Sequence, residues 1–302
     1  MSTSVNDATS IVSDLSAPPF GIERPAKLLP ADPVTRIRPA RFWETIDLRE
    51  LWAHREVLYF LIWRDLKVRY KQTMIGAAWV VVQPILMTLV FAVFLGRFIR
   101  VPSDGIPYPV FAYAAMLLWT FTSSAILSSS YSLVTNSQII TRIYFSRLAL
   151  PTAAVGVRLV DFMIASVFLF VFMIYYRVQV GWTIVMLPLF VAEIAVLALA
   201  VGVLTAALYV RYRDVGTLLP ILLQVWMFVS PTVYSASIVP ARLRLIYSLN
   251  PLVGIMGGFR SALFNLSFDW TGIIISVVVT LVLLAVSLQV FHTLDSSFAD
   301  EV

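Results

Sequence analysis

The sequence predicts an all-α membrane protein: six transmembrane helices, an N-terminal amphipathic interfacial helix, and two short re-entrant helices before the last span. Three observations carry this. Of 302 residues, 60% are hydrophobic and 13% charged, against about 45–50% and about 25% in a soluble domain. Six runs reach the roughly 20 apolar residues that a bilayer crossing needs. The first run is preceded by a basic, aromatic stretch, WRDLKVRYKQTMIGAAWVVVQP at 63–84, whose first half is amphipathic and whose second half begins a span.

Taken in order, residues 1–40 are rich in Ser, Ala, Asp and Pro, with Pro18, Pro19, Pro25, Pro30, Pro33 and Pro39. Such a composition buries too little apolar surface to fold and predicts a disordered cytosolic tail. The opening MSTSVNDATS has neither the charged n-region nor the apolar core of a cleaved signal peptide, so insertion is expected to use the first internal span. Residues 41–72 form an amphipathic interfacial segment. On a wheel of 100° per residue, Tyr59, Ile62, Trp63, Leu66 and Tyr70 share one face, and Arg64, Lys67 and Lys71 another. Such a helix lies flat at a membrane, aromatics in the acyl boundary and cations at anionic head groups. A turn at 72–76 then leads into the bilayer.

The six candidate spans are 74–95, 110–131, 153–176, 184–210, 215–234 and 272–291. The fourth is long enough to tilt, or to kink at Pro188; the fifth carries Pro220 and Pro231. Between the fifth and sixth, residues 235–268 are apolar in pieces but broken by Pro240, Pro251, Gly254, Gly257 and Gly258. That pattern predicts two short helices that dip back into the membrane. With the N-terminus cytosolic, fifteen Lys and Arg fall inside, eleven of them before the first span and the rest at Arg142, Arg147, Arg211 and Arg213. Six fall outside: Arg97, Arg100, Arg177, Arg242, Arg244 and Arg260. The bias places both termini in the cytosol. The halves show no internal repeat of the kind found in secondary transporters.

Composition also narrows the chemistry. A chain with no Cys and two distant histidines, His54 and His292, has no thiolate or His-rich metal site. It lacks a GxxxxGK[ST] phosphate loop, so no nucleotide or other cofactor is expected on it. The net charge of +5 lies beside apolar spans rather than in a separate basic domain, which argues against nucleic acid. Catalysis by a polytopic glycosyltransferase would need an acidic metal motif, but the loop acids Asp104, Asp214 and Asp269 are scattered.

Four groups of residues remain as candidates. Arg158 and Asp161 lie three apart on one face of the third span and can pair within the membrane, with Glu193 of the fourth span a lone acid that could be drawn to Arg158. The pair is either a structural tie or part of a polar transport path. The loops SLVTNSQIITRIYFSRLALP at 132–151 and LYVRYRDVGTLLP at 208–220 are compact, basic and aromatic. They are either ordinary positive-inside loops or a docking surface for a cytosolic partner. Small polar and aromatic residues in the spans, among them Trp119, Ser123, Gln224, Trp226 and Phe228, either pack helices closely or line a conduit.

The stretch at 63–84 closely resembles the N-terminal signature of ABC-2 type permeases that export cell-surface polysaccharides, the membrane subunits for O-antigen, capsule and teichoic acid. The resemblance continues through PSDGIPYPVFAYAAMLLWTFTSSA at 102–125, the loop at 132–151, LVDF at 159–162, LYVRYRDV at 208–215, SPTVYSASIVP at 230–240, LNPLVGIMGGFR at 249–260 and FAD at 298–300. Several blocks in the right order make it specific, and residues 73–302 would be the ABC-2 transmembrane domain. Only the long Pro-rich N-terminus departs from shorter members.

The resemblance implies a homodimer of this chain working with two copies of a separate ABC ATPase subunit, which binds ATP and Mg and has the only catalytic site. The pair would move an undecaprenyl-linked polysaccharide across the bacterial inner membrane; the alternative is an ABC-2 exporter of a small molecule or drug. Asn136, Arg142, Tyr144, Arg147, Arg211, Tyr212, Arg213 and Asp214 would receive the ATPase's motion. Trp63, Arg64, Lys67, Arg69 and Lys71 would meet the lipid pyrophosphate. Trp79, Gln83, Trp119, Ser123, Gln224, Trp226 and Phe228 would form the channel wall. Pro240, Pro251, Gly257 and Gly258 would belong to an outer gate.

Overall fold

The computed structural model describes residues 55–71, 78–140 and 145–295. The predicted tail, residues 41–54 of the interfacial segment, the joint at 72–76, Arg142, Tyr144 and the terminal FAD lie outside them. The described chain is helical: α1 (Arg55–Lys71), α2 (Ala78–Phe91, continued as a π-helix over Ala92–Ile99), α3 (Tyr108–Thr135), α4 (Ala149–Tyr175), α5 (Leu187–Arg211), α6 (Val215–Val229), α7 (Pro251–Phe264) and α8 (Trp270–Asp295). Five helical segments are long and apolar enough to cross a membrane: α2, α3, α4, α5 with the 3-10 turn before it, and α8.

Helix α3 is the axis. It is buried from Val110 to Trp119 without a break, and it packs against α4, α5, α2, α6 and α7. Its composition explains the position. Ala, Ser and Thr recur at 112, 114, 115, 122, 125, 129 and 130, and small side chains let neighbouring backbones approach closely where no hydrophobic effect drives association. Helix α7 is buried nearly all round, whereas α2 and α6 bury one stripe each. Helix α2 buries Val81, Pro84 and Thr88, and α6 buries Leu219 and Leu223. Their remaining apolar residues, including Trp79, Leu86, Phe94, Leu218, Leu222 and Phe228, are exposed.

Three features differ from expectation. The fifth predicted span is a 15-residue helix that stops at Val229, because Pro231 has no N–H to continue it and biases Ser230 to extended backbone. The chain runs on unwound: the Tyr131 hydroxyl donates to the Gly216 carbonyl at the start of α6 (2.9 Å), and the Tyr108 hydroxyl to the Val233 carbonyl beyond it (2.7 Å). Pro188 does not kink a helix. It sits in the first turn of α5, where its missing N–H costs nothing, after a 3-10 turn over Trp182–Met186. The 235–268 region holds 3-10 turns, a five-residue helical turn at Arg244–Ser248, and α7. Helix α7 is capped by the Asn250 side chain, which accepts from Leu252 N–H.

Two glycines shape close approaches. A Cβ at Gly156 of α4 would lie 2.7 Å from Ile62 Cδ1, so α1 docks an isoleucine into the notch. A Cβ at Gly258 of α7 would run into the Phe190 ring of α5, whereas one at Gly257 would meet nothing within 4 Å. Gly258→Ala is therefore expected to lower thermal stability in detergent by about 1–3 kcal/mol through overpacking. Gly257→Ala should lie within about 0.5 kcal/mol of the parent; equal losses would contradict the packing.

Candidate functional site

The site grows from one carboxylate. Asp161 stands on α4 and is 7% exposed. Its Oδ2 is 3.1 Å from Arg69 Nη1 of α1 and 3.4 Å from Arg158 Nη1 one turn back on α4. Its Oδ1 accepts from the Tyr70 hydroxyl. Arg158 is fixed on its other edge, where Nε and Nη2 donate to Ser128 Oγ of α3 at 2.9 and 2.7 Å. Three helices thus meet at one acid, and two guanidinium groups share it. A second tether lies a turn and a half back along α1. Arg64 Nη2 donates to Asn136 Oδ1 at the C-terminus of α3 (2.9 Å), while Arg64 also pairs with Asp65 at 2.7 Å. Asn136 is held in turn by its donation to the Ser132 carbonyl at 2.8 Å.

The cluster faces space on two sides. A cavity of about 320 Å³ between α1, α3 and α4 is lined by Asp65, Arg69, Ser128, Asn136 and Arg158, with Leu61 and Ala153. A smaller one of about 50 Å³ between α2, α3 and α4 is lined by Gln83, Thr120, Ser124, Arg158 and Asp161. Arg158 borders both. Like charges this close tolerate one another because the acid lies between them and the hydroxyls absorb the remaining donors.

This arrangement reassigns the predicted faces of α1. Tyr59 and Trp63 are 69% and 56% exposed, and Lys67 and Lys71 are exposed. Ile62 and Tyr70, which a helical wheel groups with Tyr59 and Trp63, turn inward to Gly156 and Asp161. Arg64 and Arg69 also turn inward. Ion pairs and a packing notch on the bundle, which no wheel contains, decide the rotation of the helix.

The other end of α3 carries a polar cap. Arg260 of α7 is 5% exposed and faces no carboxylate at hydrogen-bond distance. It donates to the carbonyls of Pro231 (2.8 Å), Thr232 (3.0 Å) and Phe111 (3.2 Å) and lies 3.5 Å over the Phe111 ring. Asp104 accepts from Ser235 (2.5 Å) and Ser237 (3.2 Å). Asn250 accepts from Trp226 Nε1 (3.0 Å) and donates to Ser230 Oγ (2.9 Å). These bonds tie α6, the unwound 230–237 stretch, α7 and the start of α3 into one unit. Arg260, counted from the sequence only among the basic residues on the outer side, is a buried organiser of it.

The remaining predicted residues are dispersed. Trp119 is buried and meets Trp226 edge-to-face at 6.3 Å; Ser123 closes on its own helix by donating to the Trp119 carbonyl at 2.9 Å. Trp79, Gln83, Gln224 and Phe228 are exposed. Arg211, Tyr212, Arg213 and Asp214 are exposed together between α5 and α6, with Arg211 5.6 Å over the Tyr212 ring; Arg147 is half-buried. Pro240 is exposed, and Pro251 is buried as the first residue of α7. Glu193 is not drawn to Arg158; its Oε1 lies 2.6 Å from Ser276 Oγ of α8. Among the described residues no three His, Cys, Asp or Glu group together as a metal site. Sequence reasoning missed Tyr70 and Ser128 as partners of the ion pair, and Asp104, Asn250 and Arg260 as parts of the cap. All are contacts between distant segments.

Fold and site together define a multi-pass membrane protein whose helix α1 is tied by charge to its bundle of apolar spans. The chain belongs to the ABC-2 type transporter membrane family, which it matches over residues 56–264. It is similar to the O-antigen export system permease protein RfbA of Myxococcus xanthus, 26% identical over 259 residues that cover 84% of this chain and 98% of that protein. It is also similar to two proteins of that name from Klebsiella pneumoniae. One is 26% identical over 81% of this chain and 94% of its own length, the other 23% identical over the same shares.

The Tyr70 phenol is pushed up to about 12, first by burial and then by its bond to Asp161. The folded phenol thus holds its proton more tightly than the free side chain at 10.0. Its stabilising contribution is complete below pH 10 and is lost as pH rises toward 12. An ultraviolet difference titration of the parent against Tyr70→Phe should give a midpoint near 12, moving back toward 10 in Asp161→Ala. A midpoint at 10 in the parent would remove the tether.

Proposed function

We propose that this chain is the permease subunit of an ATP-driven exporter that moves a lipid-linked cell-surface polysaccharide across the bacterial inner membrane. The observation that carries the reading is the likeness to O-antigen export permeases over at least 94% of their length. The carrier is an undecaprenyl lipid, both termini are cytosolic, and the exposed stretch 211–214 lies on the same side as α1. Exposed Trp63, Lys67 and Lys71 form the face of α1 that meets the lipid and its pyrophosphate, which suits their charge and interfacial aromatic character.

Two copies of the chain assemble through the exposed apolar faces of α2 and α6, where Trp79, Gln83, Gln224 and Phe228 line the path between them. The stretch from α6 through Val233 is the sixth crossing, and the 235–264 region is a re-entrant outer gate in which Gly257 faces open space. Two copies of an ABC ATPase subunit bind ATP and Mg and push on Arg211, Tyr212, Arg213, Asp214 and the 136–147 loop. The tether from Arg64 to Asn136 gives that loop a direct hold on α1.

Co-purification with the cognate ATPase tests the assembly. Arg211→Glu with Arg213→Glu should reduce ATPase recovery at least tenfold and abolish export while membrane levels stay unchanged. Full recovery and full export would remove these residues from the coupling surface.

A further inference from the structure

Glu193 lies in a membrane-spanning helix, and the function above gives it no role. Its Oε1 is 2.6 Å from Ser276 Oγ. The same hydroxyl is 2.9 Å from the Ile273 carbonyl one turn back on α8. Ser276 is fully buried. Gly254 of α7 lets that helix close over it, since a Cβ there would lie 2.6 Å from Ser276 Oγ. A serine hydroxyl has one proton to give, and a carbonyl can only accept. That proton serves either Glu193 Oε1 or the Ile273 carbonyl, and in the second arrangement the short contact to Glu193 takes its proton from the carboxyl group.

The surroundings demand the same proton. Helices α3 and α6 contain no Asp, Glu, Lys or Arg. In α8 the titratable side chain His292 stands at the far end, and at the near end Asp269 is engaged as the acceptor of Gly272 N–H. The single charge of α7, Arg260, is directed at the carbonyls of Pro231, Thr232 and Phe111. On α4, Arg158 and Asp161 pair with each other and with Arg69. The other titratable groups of α5, Tyr209 and Arg211, lie four turns away or more. A carboxylate at this depth with one neutral hydrogen bond and no cation costs several kcal/mol.

We propose that Glu193 is a proton-binding site inside the membrane. The protonated carboxyl donates to Ser276 Oγ, Ser276 donates to the Ile273 carbonyl, and the chain of bonds bolts α5 to α8 without placing a charge between them. Glutamine reproduces the bond, because its amide N–H₂ donates where the acid did. Loss of the proton leaves the acceptors competing for one serine hydrogen and loosens the contact.

Infrared difference spectroscopy of the full chain in lipid nanodiscs tests this, comparing the parent with Glu193→Gln at pH 7. The expected result is a protonated-acid carbonyl stretch in the parent that is lost in the variant. In Ser276→Ala the band should persist but shift to higher frequency, because its acceptor is gone. Glu193→Gln should also melt at the parent's temperature, and Glu193→Ala several degrees lower. A difference spectrum containing only carboxylate stretches would overturn the proposal. So would an acid band unmoved by Ser276→Ala.

Discussion

The architecture at the proposed cytosolic surface depends on one shared carboxylate. Asp161 takes an arginine and a tyrosine from α1 and a second arginine from its own helix. Without it, Arg69 and Arg158 would face each other at the edge of a membrane domain with no counter-charge. Leu61 is the fully buried residue of α1; Val57, Leu58 and Ile62 are partly buried against the same core cluster, and Ile62 fills the Gly156 notch. A helix with so small a buried stripe does not hold its rotation by packing alone. Polar tethers at Asp161 and Asn136 set it. Removing one partner of such a cluster is costly because the charge left behind stays partly buried.

Helix α3 connects the two polar regions of the molecule. Its C-terminal third carries Ser128 and leads into Asn136, both bonded to arginines, and its first turn carries Tyr108, bonded to the Val233 carbonyl, and Phe111, whose carbonyl accepts from Arg260. Between them runs its unbroken buried stretch. Through Arg64–Asn136 at one end and the Tyr108 and Phe111 contacts at the other, α3 is joined both to α1 and to the Arg260 cap. The caps differ in kind. At the Asp161 end charge meets charge. At the other end Arg260 donates to backbone carbonyls and lies over an aromatic face, with the Asp104 carboxylate acting on it through space rather than in contact.

Much of the fold was legible because membrane spans are defined by length and apolarity, and those are local. Helices α2, α3, α4, α5 and α8 lie within a few residues of the predicted runs. The short α6 was not, since hydropathy continues past Pro231 while the helix does not. Within the site, Arg158 and Asp161 were legible as an i, i+3 pair. Arg69 and Tyr70 were not, because Asp161 is about ninety residues away and the wheel placed Tyr70 with lipid-facing aromatics. The role of Arg260 was not legible, because burial of an arginine among carbonyls leaves no trace in spacing. Glu193 had the right residue and the wrong partner: attraction to the nearest cation was expected, and a serine on the last helix was closer.

Asp161 holds α1 against the bundle. The chain has no cysteine, so spin labels at Tyr59→Cys and Val167→Cys, both exposed positions, report α1 relative to α4 in nanodiscs by pulsed dipolar spectroscopy. A single narrow distance distribution is expected in the parent background and a broad one after Asp161→Ala. An equally narrow, unshifted distribution in Asp161→Ala would contradict the account.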